Sequence, residues 1–241
     1  MVFIVISDVH GNRQAFEAVI ESFPKDKDTS VLYAGDIVGY GGDPGKCIEM
    51  LCSLGARSVL GNHDAVLTGE RDILSMNEYA REAIRWTERH LDPGGYEHLR
   101  SLPLVLEDGT FTMVHGTLHD PEKFMYMFRE EDAARSFAFL RTGICFIGHS
   151  HVPGIFECVD GRVSRISGEK ISLKRDAKYI VNAGSVGQPR DGDSRACYCV
   201  YDTGAGIIEF KRVKYDIITA RRRIIDAGLP EYLGDRLLAG A

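Results

Sequence analysis

Short apolar runs alternate with helical patterns over the first sixty residues of the chain. Val2 to Ile6 is a continuous run of apolar, mostly β-branched residues, which predicts a buried strand. Apolar side chains then recur at helical spacing from Ala15 to Ile20. The same order continues with a strand, a helix and a strand at Val31 to Ala34, Ile48 to Leu51 and Ser58 to Leu60. Strands that alternate with helices predict a parallel sheet.

A helical segment, Ala65 to Ser101, interrupts this order. Ser75 followed by Glu78 resembles a capping box. One apolar stripe follows at helical spacing: Met76, Tyr79, Ala80, Ala83, Ile84 and Leu91. The turn residues Asp92 to Gly95 predict the end of this helix. We expect an insertion that covers the functional site as a cap, since such insertions often carry specificity, but the pattern also fits a helix on the far side of the sheet.

The second half of the chain reads as strands joined by tight turns. The predicted strands are Leu102 to Leu106, Phe111 to Val114, Ile144 to Ile147, Gly154 to Val159, Arg162 to Ile166, Lys178 to Val181, Ala196 to Tyr201 and Ile207 to Val213. Asp108-Gly109 and Asp160-Gly161 are typical hairpin turns. The whole pattern predicts an α/β protein in which two mixed sheets pack face to face with helices outside. We expect one domain over residues 1–241.

Composition and charge exclude several classes of protein. Of the 241 residues, 44% are hydrophobic and 27% are charged, values typical of a globular domain. The net charge of −6 offers no broad attraction to long nucleic acids or anionic membranes. The apolar run Val2 to Ile6 is too short for a membrane span or a signal peptide, so we expect a cytoplasmic protein. The six scattered cysteines indicate reduced, mostly buried thiols.

Residues suited to metal chemistry are concentrated in five short stretches, each placed just after a predicted strand. These are Asp8-Val9-His10, Gly35-Asp36, Gly61-Asn62-His63-Asp64, His115-Gly116 and Gly148-His149-Ser150-His151. Carboxylates and imidazoles bind transition metals, and the adjacent glycines allow sharp turns. Strand alternation would send both side chains of Asp-x-His and of His-x-His to the same side. A single stretch would mean little, but five together predict one metal site.

This set of stretches resembles the calcineurin-like metallophosphoesterases. The segment Asn182-Ala183-Gly184-Ser185-Val186-Gly187-Gln188-Pro189-Arg190 resembles a tail motif of their small bacterial and archaeal phosphodiesterase-like branch, although Ala183 replaces a proline common there. The resemblance runs from residue 2 to about residue 215 and implies two divalent transition-metal ions, with manganese expected before iron, zinc, cobalt or nickel. It implies one metal held by Asp8, His10, Asp36 and His151, and a second held by Asp36, Asn62, His115 and His149.

The resemblance also implies a mechanism. Asp36 would bridge two cations, whose repulsion a shared carboxylate offsets, and a hydroxide between them would attack phosphorus. His63 would stabilise or protonate the leaving oxygen, and Asp64 would orient the His63 ring, with a helix cap as the alternative role of Asp64. Asn12 and Arg190 are expected to contact the substrate phosphate.

We therefore expect a phosphodiesterase or phosphatase that acts on a small phosphorylated metabolite or nucleotide. A protein serine/threonine phosphatase is a weaker alternative, because Tyr40 stands where those enzymes carry an arginine for the phosphate. Tyr40, Tyr79 or Trp86 could stack on a base, although aromatic residues at helical spacing usually belong to a core. A regulatory module that binds metal or nucleotide without catalysis is an alternative of another class, but it would be expected to have lost some of the ligands.

Overall fold

The computed structural model describes residues 1–24 and 29–241, which form an α/β structure. The strands are β1 (Val2–Ile6), β2 (Thr29–Tyr33), β3 (Arg57–Ser58), β4 (Val105–Glu107), β5 (Thr112–Val114), β6 (Ile144–Ile147), β7 (Gly154–Val159), β8 (Arg162–Ile166), β9 (Lys170–Ser172), β10 (Ala177–Asn182), β11 (Ala196–Asp202) and β12 (Ile207–Val213). The α-helices are α1 (Arg13–Glu21), α2 (Pro44–Ser53), α3 (Asn62–Thr68), α4 (Glu78–His90), α5 (Pro93–Arg100), α6 (Glu130–Phe137), α7 (Ile217–Asp226) and α8 (Glu231–Ala239).

The strands form two mixed sheets of six. The first sheet has the order β3-β2-β1-β11-β12-β9, in which β1 to β3 are parallel and β11, β12 and β9 pair antiparallel. The second has the order β4-β5-β6-β10-β7-β8, in which β5, β6 and β10 are parallel. The predicted β-α-β order at the start and the hairpins at Asp108-Gly109 and Asp160-Gly161 are confirmed.

The inner faces of the two sheets share a core. Phe3 of β1 packs edge-on against Phe111, which precedes β5, with ring centroids 5.2 Å apart. Other buried residues in this layer come from both sheets: Val5, Leu32, Met113, Ile144, Phe146, Ile155, Tyr179, Val181, Cys199 and Ile208. Helices cover the outer faces, with α6 over the second sheet and most of the others over the first. The predicted fold, two mixed sheets packed face to face with helices outside, is confirmed.

The insertion differs from its prediction at both ends of its main helix. The prediction of a capping box at Ser75 is wrong. Asn77 caps α4 through its side chain, and Ser75 ends a short 3₁₀ turn that begins at Ile73. The turn residues after α4 also begin a further helix, since the Asp92 side chain accepts the Gly95 N–H and caps α5. Asparagine and aspartate side chains thus define both helix starts.

The insertion joins the core and also reaches the functional site. Ala83, Ile84 and Leu99 are buried against the outer face of the first sheet. The turn before α4 lies elsewhere, beside the side chains at the carboxyl ends of the strands. Part of the insertion therefore packs on the first sheet and another part lines the cavity, and its role as a cap stays a prediction.

The last two helices are held by ion pairs. The sequence shows a run of three arginines from Arg221 to Arg223, and Arg221 contacts both Glu231 and Asp235 across the α7–α8 pair. The loop before β11 is joined to α8, because the Gly192 N–H donates to the Gly240 carbonyl at 2.9 Å. Among the described residues, no helix is both long and apolar enough to cross a membrane.

Replacement of Phe111 by alanine tests the core between the sheets. Phe111 is fully buried between the two sheets. We expect Phe111→Ala to lower the free energy of unfolding by about 3–5 kcal/mol, as for other large-to-small core changes. Phe139→Ala is the matched control, because this ring is 61% exposed, and exposed sites usually change stability by less than about 0.5 kcal/mol. Urea unfolding of both variants measures the difference, and equal stabilities would contradict the described packing.

Candidate metal centre

The five stretches converge at the carboxyl ends of five strands. Asp8 and His10 follow β1, Asp36 follows β2, and Asn62 and His63 begin α3 after β3. In the second sheet, His115 follows β5, and His149 and His151 follow β6. Parallel strands bring such loops to one edge of a sheet, and face-to-face packing places the two edges together. All seven side chains predicted to hold metal therefore lie in one cluster.

One part of this cluster contains Asp8, His10 and His151. Their candidate ligand atoms all lie within 4.8 Å of one another. The Nε2 atom of His151 is 3.3 Å from Oδ1 of Asp8. The Nε2 atoms of His10 and His151 are 3.1 Å apart.

The other part contains Asp36, His115 and His149, whose candidate ligand atoms also lie within 4.8 Å of one another. Asp36 Oδ2 is 3.2 Å from Nε2 of His115 and 3.7 Å from Nε2 of His10. The Oδ1 atom of Asn62 is 3.2 Å from Nε2 of His115. Asp36 therefore contacts both parts of the cluster, as the prediction of a bridging carboxylate requires.

Backbone carbonyls fix the orientation of three imidazoles. Nδ1 of His10 lies 2.8 Å from the Val38 oxygen, and Nδ1 of His115 lies 2.6 Å from the Ala34 oxygen. The ring of His151 makes the same contact with the Gln188 oxygen at 2.6 Å. Carbonyl oxygens only accept, so each Nδ1 carries a proton and the Nε2 atom of each ring faces the cluster.

Burial governs the protonation of the cluster. It lowers the pKa of His10, His149 and His151, which favours the neutral form that ligates metals. Burial acts to raise the pKa of Asp36, but His115, His63 and His10 together outweigh it and the net direction is downward. For His115, burial acts to lower the pKa, but Asp36, Asp8 and the Ala34 carbonyl together raise it to about 9.

The donor set fits divalent transition metals. In the neutral forms, the Nε2 atoms of His10 and His151 bring two lone pairs 3.1 Å apart, and a shared cation would stabilise this contact. Nε2 of His149 is buried and has no hydrogen-bond partner. A buried ring nitrogen without a hydrogen-bond partner is a group that a bound cation satisfies, and mixed nitrogen and oxygen ligands suit manganese, iron or zinc.

Left-handed backbone conformations, and not strand alternation, aim these side chains. Both members of each Asp-x-His or His-x-His pair lie beyond the end of a strand and have positive φ: 53° for Asp8, 49° for His10, 69° for His149 and 58° for His151. Asp36 has φ of 65°. The predicted convergence is thus correct, but the reason given for it is wrong. Such conformations are sparsely populated and are concentrated at functional sites.

Two glycines allow the loops to approach one another. A Cβ atom at Gly61 would collide with the carboxylate and backbone nitrogen of Asp36. A Cβ atom at Gly148 would collide with Ser7 and with the Asp8 carboxylate. Both glycines therefore permit contacts between segments that carry the candidate ligands, which is the role expected of glycine where backbones meet closely.

His63 lies beside the cluster. Its backbone N–H donates to Asp36 Oδ1 at 2.8 Å, and its ring lies 4.7 Å from the His10 ring and 4.6 Å from the Tyr40 ring. Nδ1 is buried without a hydrogen-bond partner, and burial lowers the pKa of this imidazole to about 4. With His10 and Asp36 it also forms a third group of candidate ligand atoms within 4.8 Å.

The structure does not support the prediction that Asp64 orients the His63 ring. The Asp64 carboxylate instead accepts backbone N–H groups from Gly61, Asp36, Ile37 and Val38 at 2.8–3.3 Å. Burial and the charge of Asp36 raise the pKa of Asp64 to about 7, against these four donors. Asp64 therefore caps α3 from within its first turn and fixes the Asp36 loop. This role is close to the alternative that the sequence left open, a helix cap.

The structure likewise gives Asn12 a different task. Its Oδ1 accepts the Ala15 N–H as the cap of α1, and its Nδ2 donates to the Gly187 carbonyl at 2.8 Å. The side chain is 4% exposed, so its polar atoms are not available to a substrate. Arg190 is half-buried: its Nε has no hydrogen-bond partner among the described residues, and its Nη2 donates to Gln188 Oε1 at 2.8 Å.

A cavity of about 210 Å³ opens beside the cluster and is lined by Tyr40, Asn62, His63 and His149. Arg71 and the turn before α4 supply further walls. Tyr126 also lines it and stacks on the His149 ring at 3.9 Å, although no sequence pattern indicated this residue. Of the aromatic residues considered for base stacking, Tyr40 lies here, whereas Tyr79 packs at a tilt against Tyr232 and Trp86 stacks on His90.

Comparison with known proteins identifies the family. Residues 1–206 match the calcineurin-like phosphoesterase superfamily domain. The chain belongs to this family. It is 38% identical, over 98% of its length and 97% of the relative, to an uncharacterized protein of Methanocaldococcus jannaschii. The crystal structure of a metallophosphoesterase from Sphaerobacter thermophilus superposes with a TM-score of 0.87 at 37% identity and full coverage of both chains.

A hypothetical protein from Pyrococcus horikoshii OT3 shares the fold, with a TM-score of 0.79 at 20% identity over 100% of this chain and 98% of the other. The predicted family is thereby confirmed. As a metallophosphoesterase, the chain hydrolyses phosphoric esters, and it carries histidine and aspartate residues suited to binding metal ions.

Gly61→Ala tests the close approach of the two loops. The added methyl group would displace the Asp36 carboxylate, so we expect bound metal and hydrolysis of a chromogenic ester to fall together. Gly143→Ala is the control, because no atom lies within 4 Å of a Cβ added there. Metal content and ester hydrolysis are measured on both purified variants, and a Gly61→Ala protein with normal metal content would contradict the geometry.

Proposed function

We propose that the chain hydrolyses phosphoester bonds of a small phosphorylated metabolite or nucleotide with two divalent transition-metal ions. The observation that carries the proposal is the position of Asp36, whose Oδ2 lies 3.2 Å from Nε2 of His115 and 3.7 Å from Nε2 of His10, in the two parts of the same buried cluster. A carboxylate with two oxygens can serve two cations and offset their repulsion.

The first ion would be held by Asp8, His10, Asp36 and His151, and the second by Asp36, Asn62, His115 and His149. Manganese is the first candidate, followed by iron, zinc, cobalt and nickel. Bound cations of this kind would lower the pKa of a coordinated water and offset the negative charge of the phosphoryl group.

The side chains around the cluster have separate tasks in this proposal. His63 faces the cavity and would stabilise or protonate the leaving oxygen. Arg190 would contact the substrate phosphate with its guanidinium. Asp64 would hold the Asp36 loop through its four backbone contacts. The loops that carry the metal ligands would thus be in place before the substrate binds.

The surroundings of the cluster favour a small substrate. The cavity of about 210 Å³ is smaller than the sites that enclose drug-sized ligands, which usually exceed about 300 Å³. The net charge of −6 offers no track for a long nucleic acid. Tyr40, which the sequence places where protein phosphatases carry an arginine, lies against His10 and His63 and does not supply a cationic group.

The proposed activity is tested on the manganese-loaded protein and on Asp36→Ala. We expect the native chain to bind two metal ions and to hydrolyse a chromogenic phosphoester as well as members of a panel of mono-, di- and polyphosphate nucleotides. Asp36→Ala removes the shared carboxylate, so metal content and hydrolysis should collapse together. Metal analysis and phosphate release are measured on the same preparations.

Two results would contradict the proposal. A native protein that binds metal but hydrolyses none of these esters would favour a regulatory binding module. A native protein with one ion per chain at saturating metal would contradict the role of Asp36 as a bridge between two cations.

His63→Ala separates this residue from the metal ligands. We expect both ions to remain bound and turnover to fall by about 10²–10⁴-fold if the ring protonates the leaving group. The defect should be smaller for an ester with a good leaving group, because such an ester needs little protonation. Rates on paired esters and metal content are measured together. Loss of a metal would make His63 a ligand, and equal defects on both esters would leave only an electrostatic role.

A further inference from the structure

Arg71, in the insertion, lines the cavity beside the candidate metal centre. Helix α3 is capped by Gly69, which has φ of 85°, and the chain then turns back, so that the Arg71 N–H donates to the Ala65 carbonyl at 3.2 Å. Arg71 therefore lies beside the helix that begins with Asn62 and His63. Its side chain is half-buried and shares the cavity of about 210 Å³ with both of these residues.

Several contacts hold the guanidinium of Arg71 at this cavity. Nε donates to Ser75 Oγ at 3.0 Å, and Nη1 donates to the backbone carbonyls of residues 122–123 at 3.2 and 3.0 Å. The guanidinium also lies 5.3 Å from the centre of the Phe124 ring, which packs edge-on against His115 at 6.1 Å. One aromatic ring thus separates this positive charge from a candidate metal ligand.

The guanidinium belongs to this cavity and not to the groove on the other side of Arg71. That groove, of about 340 Å³, is lined by Arg71 together with Ile84 and Arg85 of α4. None of the groups that the guanidinium contacts lines the groove, whereas Ser75 and Phe124 both line the cavity. The aliphatic part of Arg71 therefore faces the groove, and its charged end faces the metal centre.

The positive charge of Arg71 has no acidic partner in this cavity. Its hydrogen bonds within the described parts of the chain all go to uncharged oxygens. Among the described residues that line the cavity, none is an aspartate or a glutamate. Nη2 has no hydrogen-bond partner among the described residues and is not a buried atom. A guanidinium that is held in place, unpaired and open at one N–H edge is suited to bind an anion.

The cavity also contains the groups expected around the leaving oxygen. His63 lines it, as do Asn62 and His149, which are two candidate ligands of the second ion. The ions would hold the phosphoryl group that reacts, and His63 would face the leaving oxygen. The part of the substrate beyond that oxygen would then occupy the cavity, whose small volume keeps it close to Arg71.

We propose that Arg71 binds an anionic group, a carboxylate or a second phosphate, on the leaving-group part of the substrate. This inference rests on the proposed function and narrows its substrate class to small phosphoesters whose leaving group is itself negatively charged. Arg71 is then a specificity-determining residue supplied by the insertion, and the metal centre binds the phosphoryl group that is hydrolysed.

The test compares four phosphonates that differ in the charge of a short tail: propylphosphonate, 3-phosphonopropionate, propylenediphosphonate and 3-aminopropylphosphonate. Each is titrated calorimetrically into the manganese-loaded protein after removal of free metal. We expect a carboxylate or a phosphonate tail to bind about tenfold more tightly than the propyl tail, as for hydrogen bonds between charged groups. The ammonium tail should bind less tightly than the propyl tail, and the tighter of the two anionic probes identifies the preferred group.

Variants of Arg71 separate recognition of the tail from a structural role. In Arg71→Gln the preference for an anionic tail should disappear, while the affinity for propylphosphonate is retained. Arg71→Lys keeps the charge but not the planar fork of donors, so it should retain part of the preference. Arg85→Gln is the matched control, because it removes an exposed arginine of the same insertion that does not line the cavity, and it should leave the preference unchanged.

Three outcomes would overturn the inference. The native protein shows no preference for an anionic tail, Arg71→Gln weakens all four probes by the same factor, or Arg85→Gln has the same effect as Arg71→Gln. The native ranking of the four tails and the Arg71→Lys variant still decide the matter if Arg71→Gln does not fold. Failure of the proposed function gives a different result, because the native protein would then not hydrolyse the chromogenic ester, whereas the titrations measure binding alone.

Discussion

The buried carboxylate of Asp36 is the group on which the arrangement of this site depends. It contacts imidazoles from both sheets, with Oδ2 at 3.2 Å from His115 and 3.7 Å from His10. Its other oxygen accepts the backbone N–H of His63. A carboxylate this deeply buried is unfavourable unless it is paired, and here the paired groups come from loops of both sheets. The two sheets are thus joined at this edge by polar contacts as well as by the apolar layer between them.

The loops that hold Asp36 are organised by backbone hydrogen bonds. Asp64 accepts four N–H groups from two segments, and its removal would leave these donors buried without partners. Positive φ at Asp8, His10 and Asp36 directs their side chains inward. This backbone conformation is unfavourable in free energy, and the surrounding contacts must offset it. This preorganisation is what a metal centre requires, since the ligands are positioned by the protein and not by the cations alone.

Side chains from outside the two sheets line the cavity beside the cluster. Arg71 and Asn77, which lie between α3 and α4, form part of its wall. A cation centre would suit many phosphoesters, so we expect the choice among phosphorylated compounds to depend on such peripheral side chains.

The amino-acid sequence by itself determined most of the order of strands and helices, the family and the candidate metal-binding side chains. Each of these depends on local patterns, such as the apolar run Val2 to Ile6 or the pair His149 and His151 after a strand. Tertiary structure decided the roles of Asn12 and Asp64, since their partners Gly187 and Asp36 lie far away in the chain.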